Sequence, residues 1–341
     1  MKKKVSLVLA TLMIASLVGC GTKKADVQEA APTKQEEAKP SEVKEEAKEE
    51  TKEVKHMKYV GLKVYDPVYV ALEKGFFDGI EVELVDTVAG GATAVEMVSS
   101  GDVQGCLLSN MALTNAVNAG MPVIAVADIQ SAFKEAPLEE FYVRADSDIQ
   151  SIKDLKGKKI AINLVKSSFH YTWLMELEKA GMTENDVEFV NLSFAEQKEA
   201  LLNGTVDAIG LMQPYSGMAR TDDKCRQLYT AVDSFGERQF CEILVNTDWA
   251  AENGDAATAF VGGIAKAADW IAQNQNEAKQ IIAKYTGIDA NYIDDYYFQP
   301  NASVNMDDAQ YWLDYMKEHE GVSKDLTVDQ IATNKYNEAM K

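Results

Sequence analysis

The chain has 341 residues and a formal net charge of −20 at pH 7, from 34 Lys and Arg against 54 Asp and Glu. A strongly acidic surface argues against nucleic acid as a partner. Setting aside the first 56 residues leaves about 285, a length that favours two domains or lobes over one. Besides Cys20, the cysteines are Cys106, Cys225 and Cys241, and their spacing fits no metal or redox motif.

The first 56 residues have the composition of a targeting segment followed by a tether. A basic start (1–4) precedes an apolar run (5–18) that is too short for a typical membrane span. The residues 17–20 (LVGC) resemble the lipobox of bacterial lipoproteins, which predicts a signal peptide over 1–20 and an acylated Cys20. The alternative is an ordinary secretory signal with a chance cysteine. Residues 21–56 are rich in Lys, Glu, Ala and Pro and predict a disordered tether.

From residue 57 onward, strand and helix patterns alternate with short connections. Short apolar or alternating runs predict strands, and periodic segments that begin at capping residues and end at glycine predict helices. The predicted strands are 58–64, 80–85, 103–108, 122–127, 141–144, 160–162, 187–190, 206–211 and 240–246. The predicted helices are 67–75, 92–100, 111–118, 168–180, 194–203, 256–273, 277–285 and 307–319. This order predicts an α/β fold with mostly parallel sheets flanked by helices.

Two stretches of the chain share one pattern. Residues 96–110 (EMVSSGDVQGCLLSN) and 199–213 (EALLNGTVDAIGLMQ) each contain a helix, a glycine stop, a tight turn and a strand of small residues. Two lobes of related topology would produce this pattern. The alternative is that any α/β unit has this appearance.

Several stretches, taken together and in order, resemble a known family. They are YDPVYVALEKGFFDGIEVEL (65–84), SGDVQ (100–104), DLKGKKIAI (154–162) before a serine-rich helix start, and NGTVDAIGLMQPY (203–215). They look like the solute-binding proteins of ABC importers, in the sulfonate, nitrate, taurine and thiamine-precursor branch. The resemblance covers residues 57–249.

The resemblance implies a type II periplasmic-binding-protein fold with two lobes, two hinge crossovers and a ligand between the lobes. We expect lobe 1 at 57–143 and 247–341 and lobe 2 at 144–246, with the crossovers near 144–148 and 242–246. The resemblance also implies a monomer that delivers a small solute to an ABC permease and its ATPase. With the lipobox, it implies a lipid anchor on the extracytoplasmic face of the cell membrane.

Ligands of open α/β sheets bind beyond the carboxyl ends of the strands. The residues at four strand ends, and one just before the return crossover, are therefore the candidate ligand contacts. They are Tyr65, Asp66 and Tyr69; Ser109, Asn110 and Met111; Asn163, Lys166, Ser167, Ser168, Phe169 and His170; Gln213 and Tyr215; and Arg238. The family resemblance implies cleft positions at 109–111, 167–170 and 213–215.

Each candidate also has a structural interpretation. The serines, Asn110 and Asp66 are suited to cap helices, and His170 and the tyrosines are suited to pack in a core. The family often has Trp-Asp-Pro at the fourth strand end, where this chain has Met212-Gln213-Pro214. The missing acid weakens the case for a cationic ligand group there.

The sequence leaves the ligand class open. Helix N-termini and Lys166 suit a carboxylate or sulfonate, whereas Phe169, Trp173 and the tyrosines suit a planar ring such as a pyrimidine. An enzyme resembling the thiamine-pyrimidine synthases is one alternative, but the chain lacks their cysteine-rich cluster and has three histidines (His56, His170 and His319). It also lacks a P-loop, a G-x-S-x-G motif and a metal-binding histidine pair. We therefore expect no catalysis, cofactor or metal. A solute-sensing lipoprotein without an importer is a further alternative.

Overall fold

The computed structural model describes residues 54–85, 87–88 and 90–341. The predicted signal peptide, Cys20 and residues 21–53 of the predicted tether lie outside these ranges. The predicted tether extends two residues too far, because Lys55 and His56 already belong to the first strand. Both side chains are exposed at the start of that strand, so their polarity is compatible with either assignment.

The strands of the described residues form two sheets of five. The first sheet contains β1 (Lys55–Val60), β2 (Ile80–Val85), β3 (Gly105–Ser109), β4 (Val123–Ala132) and β10 (Arg238–Asn246). The second contains β5 (Glu139–Arg144), β6 (Lys159–Ile162), β7 (Glu188–Asn191), β8 (Ala208–Met212) and β9 (Cys225–Thr230). The structure therefore confirms the predicted α/β class with two sheets, and adds β9 to the predicted strands.

Helices connect the strands and continue after the last one. They are α1 (Pro67–Lys74), α2 (Gly91–Ser100), α3 (Asn110–Asn118), α4 (Ser168–Lys179), α5 (Phe194–Leu202), α6 (Tyr215–Arg220), α7 (Ala231–Phe235), α8 (Thr247–Glu252), α9 (Gly254–Gln273), α10 (Gln275–Thr286) and α11 (Met306–His319). The short helices α6, α7 and α8 have too few turns to show a helical period and are not predicted from the sequence. Within the described ranges, no helix is long and apolar enough to cross a membrane.

The two sheets have the same strand order. The first runs β2-β1-β3-β10-β4 and the second β7-β6-β8-β5-β9. In each sheet the inserted strand, β10 or β5, pairs antiparallel with both neighbours, so the other four strands share one direction. The repeated sequence pattern corresponds to α2–β3 in one sheet and α5–β8 in the other, so the prediction of two related lobes is confirmed.

The predicted crossovers are wrong in position. The chain leaves the first sheet after β4 and enters the second at β5, so the first crossover is 133–138. It returns between β9 and β10, over 231–237, a stretch that includes α7. Strands β5 and β10 thus belong to the opposite sheets from those expected. Each is a buried central strand, and an apolar run alone does not reveal which sheet receives it. Below, lobe 1 denotes 54–132 with 238–341, and lobe 2 denotes 139–230.

The connection between α10 and α11 contacts lobe 2 although the helices on either side pack on lobe 1. Residues 288–299 of this connection form the bridging segment. The carbonyl oxygen of Tyr292 lies so close to α6 that a Cβ at Gly217 would be 1.9 Å from it. Farther along, Asp294 pairs with Arg220 and Gln213 of lobe 2. The segment is therefore a third connection between the lobes, besides the two crossovers.

Candidate functional site

A cavity of about 350 Å³ lies between the two lobes. Lobe 1 contributes the loop after β1 and the start of α2, and lobe 2 contributes the loop after β6 and the starts of α5 and α6. Its lining residues are Leu62, Lys63, Val64, Thr87, Val88, Gly90 and Gly91 of lobe 1, and Asn163, Ser193, Phe194, Ala195 and Tyr215 of lobe 2. We refer to this cavity as the cleft. Of the predicted contacts, it brings together Asn163 and Tyr215.

Two helix N-termini line the cleft. Helix α2 begins after Gly90, which has no side chain to cap the helix, so its first backbone N–H groups are open to a ligand. Helix α5 begins after Ser193, which forms a capping box with Glu196. Lys63 is the one charged side chain among the described lining residues. Two positive helix ends and one cation favour an anionic ligand group, although Glu196 reduces the effect at α5.

Two of the predicted contacts after β1, Asp66 and Tyr69, support the loop that lines the cleft. Asp66 caps α1 by accepting a hydrogen bond from the Val68 amide at 2.9 Å, and it accepts another from the Tyr59 hydroxyl at 2.8 Å. Burial raises the pKa of Asp66 to about 7. Tyr69 donates a hydrogen bond to the Leu62 carbonyl and stacks on Tyr285 with ring centroids 4.7 Å apart. Both residues fix the loop whose tip, at Leu62 to Val64, lines the cleft.

The residues after β3 are buried below the cleft. Ser109 caps α3 by accepting from the Ala112 amide at 3.4 Å. Asn110 donates to the Glu242 carboxyl of β10 at 2.7 Å, and Met111 is fully buried. Ser109 thus has the structural role that the capping interpretation predicts.

The residues after β6 divide between the cleft and the frame. Asn163 lines the cleft and accepts a hydrogen bond from Ser167 at 2.9 Å, while Ser167 caps α4. Ser168 is buried, and Phe169 packs edge-on against Phe194, a lining residue, with ring centroids 5.0 Å apart. Phe169 therefore supports the wall of the cleft from behind.

Lys166 and His170 lie away from the polar lining. The Lys166 Nζ atom is 3.2 Å from the Glu320 carboxylate of lobe 1, so its charge already has a partner. His170 accepts a hydrogen bond from the Lys166 amide through Nδ1 at 3.2 Å. Burial lowers the pKa of His170, which favours the neutral ring at neutral pH.

Gln213 and Arg238 make contacts with lobe 1 segments. Gln213 exchanges hydrogen bonds with Asp294 of the bridging segment through both ends of its amide. Arg238 is 3.0 Å from the Asp308 carboxylate and stacks over the Tyr311 ring, 3.8 Å from its centroid. Arg238 therefore ties β10 to α11, and its guanidinium is occupied within lobe 1.

A second group of polar atoms is buried at the edge of the first sheet where strands β1 and β3 end. Tyr65 follows β1, Asn110 follows β3, and Glu242 on β10 is in register with Leu108 at the end of β3. Among the described residues, the Tyr65 hydroxyl, Asn110 Oδ1 and Glu242 Oε2 have no hydrogen-bond partner. Tyr65 stacks on Tyr296 at 3.8 Å, and burial raises the pKa of Glu242 to about 8. We call Tyr65, Asn110 and Glu242 the inner polar group.

The sequence contains a signal for the missed lining residues. Helices α2 and α5 occupy equivalent places in the two lobes, because each follows the corresponding edge strand of its sheet, β2 or β7. Gly90-Gly91 and the Ser193 capping box mark their starts. Aligning the two halves of the chain through the repeated pattern would have paired these starts as the two sides of one cleft.

The two sheets and the cleft between them define a two-lobed protein with the type II periplasmic-binding-protein fold. The profile of the family described as NMT1/THI5 like matches residues 64–278, more than half of the chain. The chain therefore belongs to the NMT1/THI5-like family.

Two relatives carry different names. A Haemophilus influenzae protein provisionally named a thiamine biosynthesis protein is 26% identical over 222 residues, which cover 64% of this chain and 68% of the relative. A Bacillus subtilis protein provisionally named an aliphatic sulfonates-binding protein is 24% identical over 289 residues, covering 79% and 83%. One name refers to thiamine biosynthesis and the other to the binding of sulfonates.

Solved structures support the fold. The alkanesulfonate-binding protein of Xanthomonas axonopodis pv. citri bound to MOPS superposes with a TM-score of 0.68 at 19% identity, over 82% of this chain and 98% of that one. The desulfurization enzyme DSZB gives a TM-score of 0.64 at 15% identity, over 83% and 97%. At such identities the likeness shows the fold alone, and this fold serves both a binding protein and an enzyme.

Proposed function

We propose that this protein is the extracytoplasmic solute-binding component of an ABC importer. The observation that carries the proposal is the cleft, which is formed by both lobes and closed at its sides by polar contacts between them. Family membership supports the proposal, since relatives of similar length include proteins named for sulfonate binding. Capture of a solute between lobes and delivery to a permease require no catalytic group.

The cleft favours a solute with an anionic group, such as a sulfonate or carboxylate. Backbone N–H groups at the start of α2, Lys63 and the side chains of Asn163 and Tyr215 converge on it from both lobes. Such donors bind an anion through charge-assisted hydrogen bonds.

Closure follows from contacts on opposite sides of the cleft. On one side, Lys166 pairs with Glu320, and the Asn115 amide donates to the Tyr171 hydroxyl at 3.3 Å. On the other side, Asp294 pairs with Arg220. A solute that contacts both lobes binds the closed form more tightly, so it shifts the equilibrium toward closure. The closed form then docks on the permease.

A thermal-shift screen of sulfonates, carboxylates and pyrimidines, followed by calorimetry, tests solute binding. Stabilisation by a ligand at 100 times its dissociation constant should reach about 2.7 kcal/mol. Recovery of the ligand unchanged by mass spectrometry excludes the enzyme alternative, whereas conversion of the ligand overturns the proposal. Uptake by vesicles containing a cognate permease and ATPase separates an importer component from a sensor.

The inner polar group favours a second ligand class, a planar heterocycle with amino substituents. Its unpaired oxygen atoms comprise the Asn110 and Glu242 acceptors and the Tyr65 hydroxyl, which match the mixed donors and acceptors of an aminopyrimidine. If this class is correct, Glu242→Gln weakens pyrimidine binding and leaves sulfonate binding unchanged.

The lipid anchor and the monomeric state belong to the same proposal. An importer component without an outer membrane to retain it must be held at the cell surface. We expect mass spectrometry to detect an acylated Cys20 as the first residue, and Cys20→Ala to release the protein into the medium. Light scattering should give the mass of one chain.

A further inference from the structure

An apolar groove of about 260 Å³ opens beside the cleft, between lobe 1 and the loop that joins β6 to α4. Its lobe 1 side includes Val95 of α2, Leu108 of β3, and Ala112 and Ala116 of α3, and its lobe 2 side includes Leu164 and Val165. The polar side chains that also line it are Glu96, Asn115 and Lys166. The side chain of Val165 is 47% exposed, although burying an apolar side chain such as valine is favourable. The groove therefore presents apolar side chains from both lobes to a ligand.

The groove and the cleft are adjacent, because Gly91 lines both. A Cβ at Gly91 would lie 2.6 Å from the Leu108 side chain. Glycine at this position lets Leu108 reach the first turn of α2, directly beside the backbone N–H groups that face the cleft. One ligand can thus contact the open end of α2 with a polar group while its apolar part lies along Leu108.

We propose that the groove binds the hydrocarbon chain of the solute, so that the protein selects elongated amphipathic anions over small ones. This inference rests on the proposed function, with the anionic group held in the cleft. The polar cleft alone would accept any short anion. The groove adds a length requirement, since each methylene transferred from water into it strengthens binding about fourfold.

The test is calorimetry of the full chain with linear alkanesulfonates from ethanesulfonate to decanesulfonate. The association constant should rise about fourfold for each added methylene and level off once the chain exceeds the length of the groove. Ethanesulfonate gives the affinity of the cleft alone. An association constant independent of chain length overturns the groove and leaves the proposed function standing. If none of the sulfonates binds, the groove proposal is wrong, and the thermal-shift screen with carboxylates and pyrimidines decides the proposed function separately.

Two variants locate the effect in the groove. Ala112→Phe fills it from α3, and should abolish the dependence on chain length while ethanesulfonate binding changes less than twofold. Ala251→Phe, at an exposed alanine of α8, is the control and should bind the whole series as the parent does.

The exposed Val165 gives a variant that places no strain on the fold. Val165→Ser should weaken octanesulfonate about fivefold or more and leave ethanesulfonate unchanged. If Val165→Ser and Ala112→Phe both retain the full dependence on chain length, the hydrocarbon chain binds elsewhere and the proposal is wrong. Loss of the dependence in either folded variant supports it.

Discussion

Lys63 and Lys166 differ in whether a carboxylate is paired with their charge. Lys63 faces the cleft from the loop after β1, and no salt bridge involves it among the described residues. Lys166 is paired with Glu320 at 3.2 Å across the lobes. A charge without a partner attracts an anionic ligand, whereas a paired charge is partly neutralised by its neighbour. At residue scale, we therefore propose Lys63, rather than the Lys166 favoured by the sequence, as the ligand-binding cation.

We expect Lys63→Ala to weaken ethanesulfonate binding by about 1.5 kcal/mol, roughly tenfold, through loss of a charge-assisted hydrogen bond. Lys153→Ala, at an exposed lysine of lobe 2 that does not line the cleft, is the matched control and should change the affinity less than threefold. Calorimetry at 50 mM and 200 mM salt checks both variants. Equal losses from the two lysines would contradict the assignment.

At the scale of elements, the contact between α6 and the bridging segment depends on one glycine. Gly217 is buried within α6, and the Tyr292 backbone occupies the space where a side chain would begin. The contact positions Tyr215, at the start of α6, over the cleft. The packing of this short helix thus couples a lining residue to the bridging segment.

Gly217→Ala should therefore destabilise the protein by several kcal/mol, because its Cβ would lie 1.9 Å from the Tyr292 oxygen. Gly262→Ala is the control, since a Cβ there meets no atom within 4 Å. Alanine favours a helix over glycine by up to about 1 kcal/mol, so Gly262→Ala should be neutral or stabilising. Urea denaturation of both variants provides the comparison, and equal stability of the two would refute the close contact.

Periodicity and capping predict most elements of this fold, but not which elements come together. The capping box of α5 and the cap at Asp66 are local features, determined by residues within four positions. The sheet that receives β5 or β10 depends on contacts between residues far apart in sequence. Ser109 and Ser167 are predictable as polar helix starts because caps depend on nearby residues. The position of the cleft, at the starts of α2 and α5, depends on contacts between residues far apart in sequence and is not predictable in this way.

At the scale of the whole molecule, the bridging segment links the two lobes through Asp294. Asp294 accepts hydrogen bonds from Arg220 and Gln213 of lobe 2, and its amide donates to Gln213 at 3.2 Å. The next residue, Asp295, pairs instead with Lys279 of α10 within lobe 1, at 2.7 Å. These neighbouring carboxylates thus have different roles, one between the lobes and one within a lobe.

Asp294→Ala should shift the ligand-free protein toward an open form, and Asp295→Ala should not. The expected loss of solute affinity is about twofold to fivefold, since partly exposed pairs contribute up to about 1 kcal/mol. Small-angle scattering without ligand should show a larger radius of gyration for Asp294→Ala. An unchanged radius together with unchanged affinity would show that the contact does not influence closure.

Four buried carboxyl groups, distributed over both lobes, make the stability of the whole molecule depend on pH. Burial raises the pKa of Asp66 and Asp128 to about 7, and that of Glu139 and Glu242 to about 8. The unfolded chain releases these protons near pH 4, whereas the folded chain retains them. Their contribution to stability is therefore fully present below about pH 4 and is lost as the pH rises to 7 and 8.

The free energy of unfolding should accordingly fall by on the order of 2–5 kcal/mol between pH 6.5 and 8.5. This pH window lies above the range in which ordinary carboxyls titrate. The lowered pKa of His170 changes the free energy of unfolding only below about pH 6.5. Neither therefore contributes to the fall between pH 6.5 and 8.5. Glu242→Gln keeps an acceptor for Asn110 but cannot ionise, so its stability should fall less steeply with pH. Urea denaturation at three pH values measures both slopes. A parent protein that gains stability toward pH 8.5, or a Glu242→Gln slope as steep as that of the parent, would show that these groups do not retain their protons in the folded state.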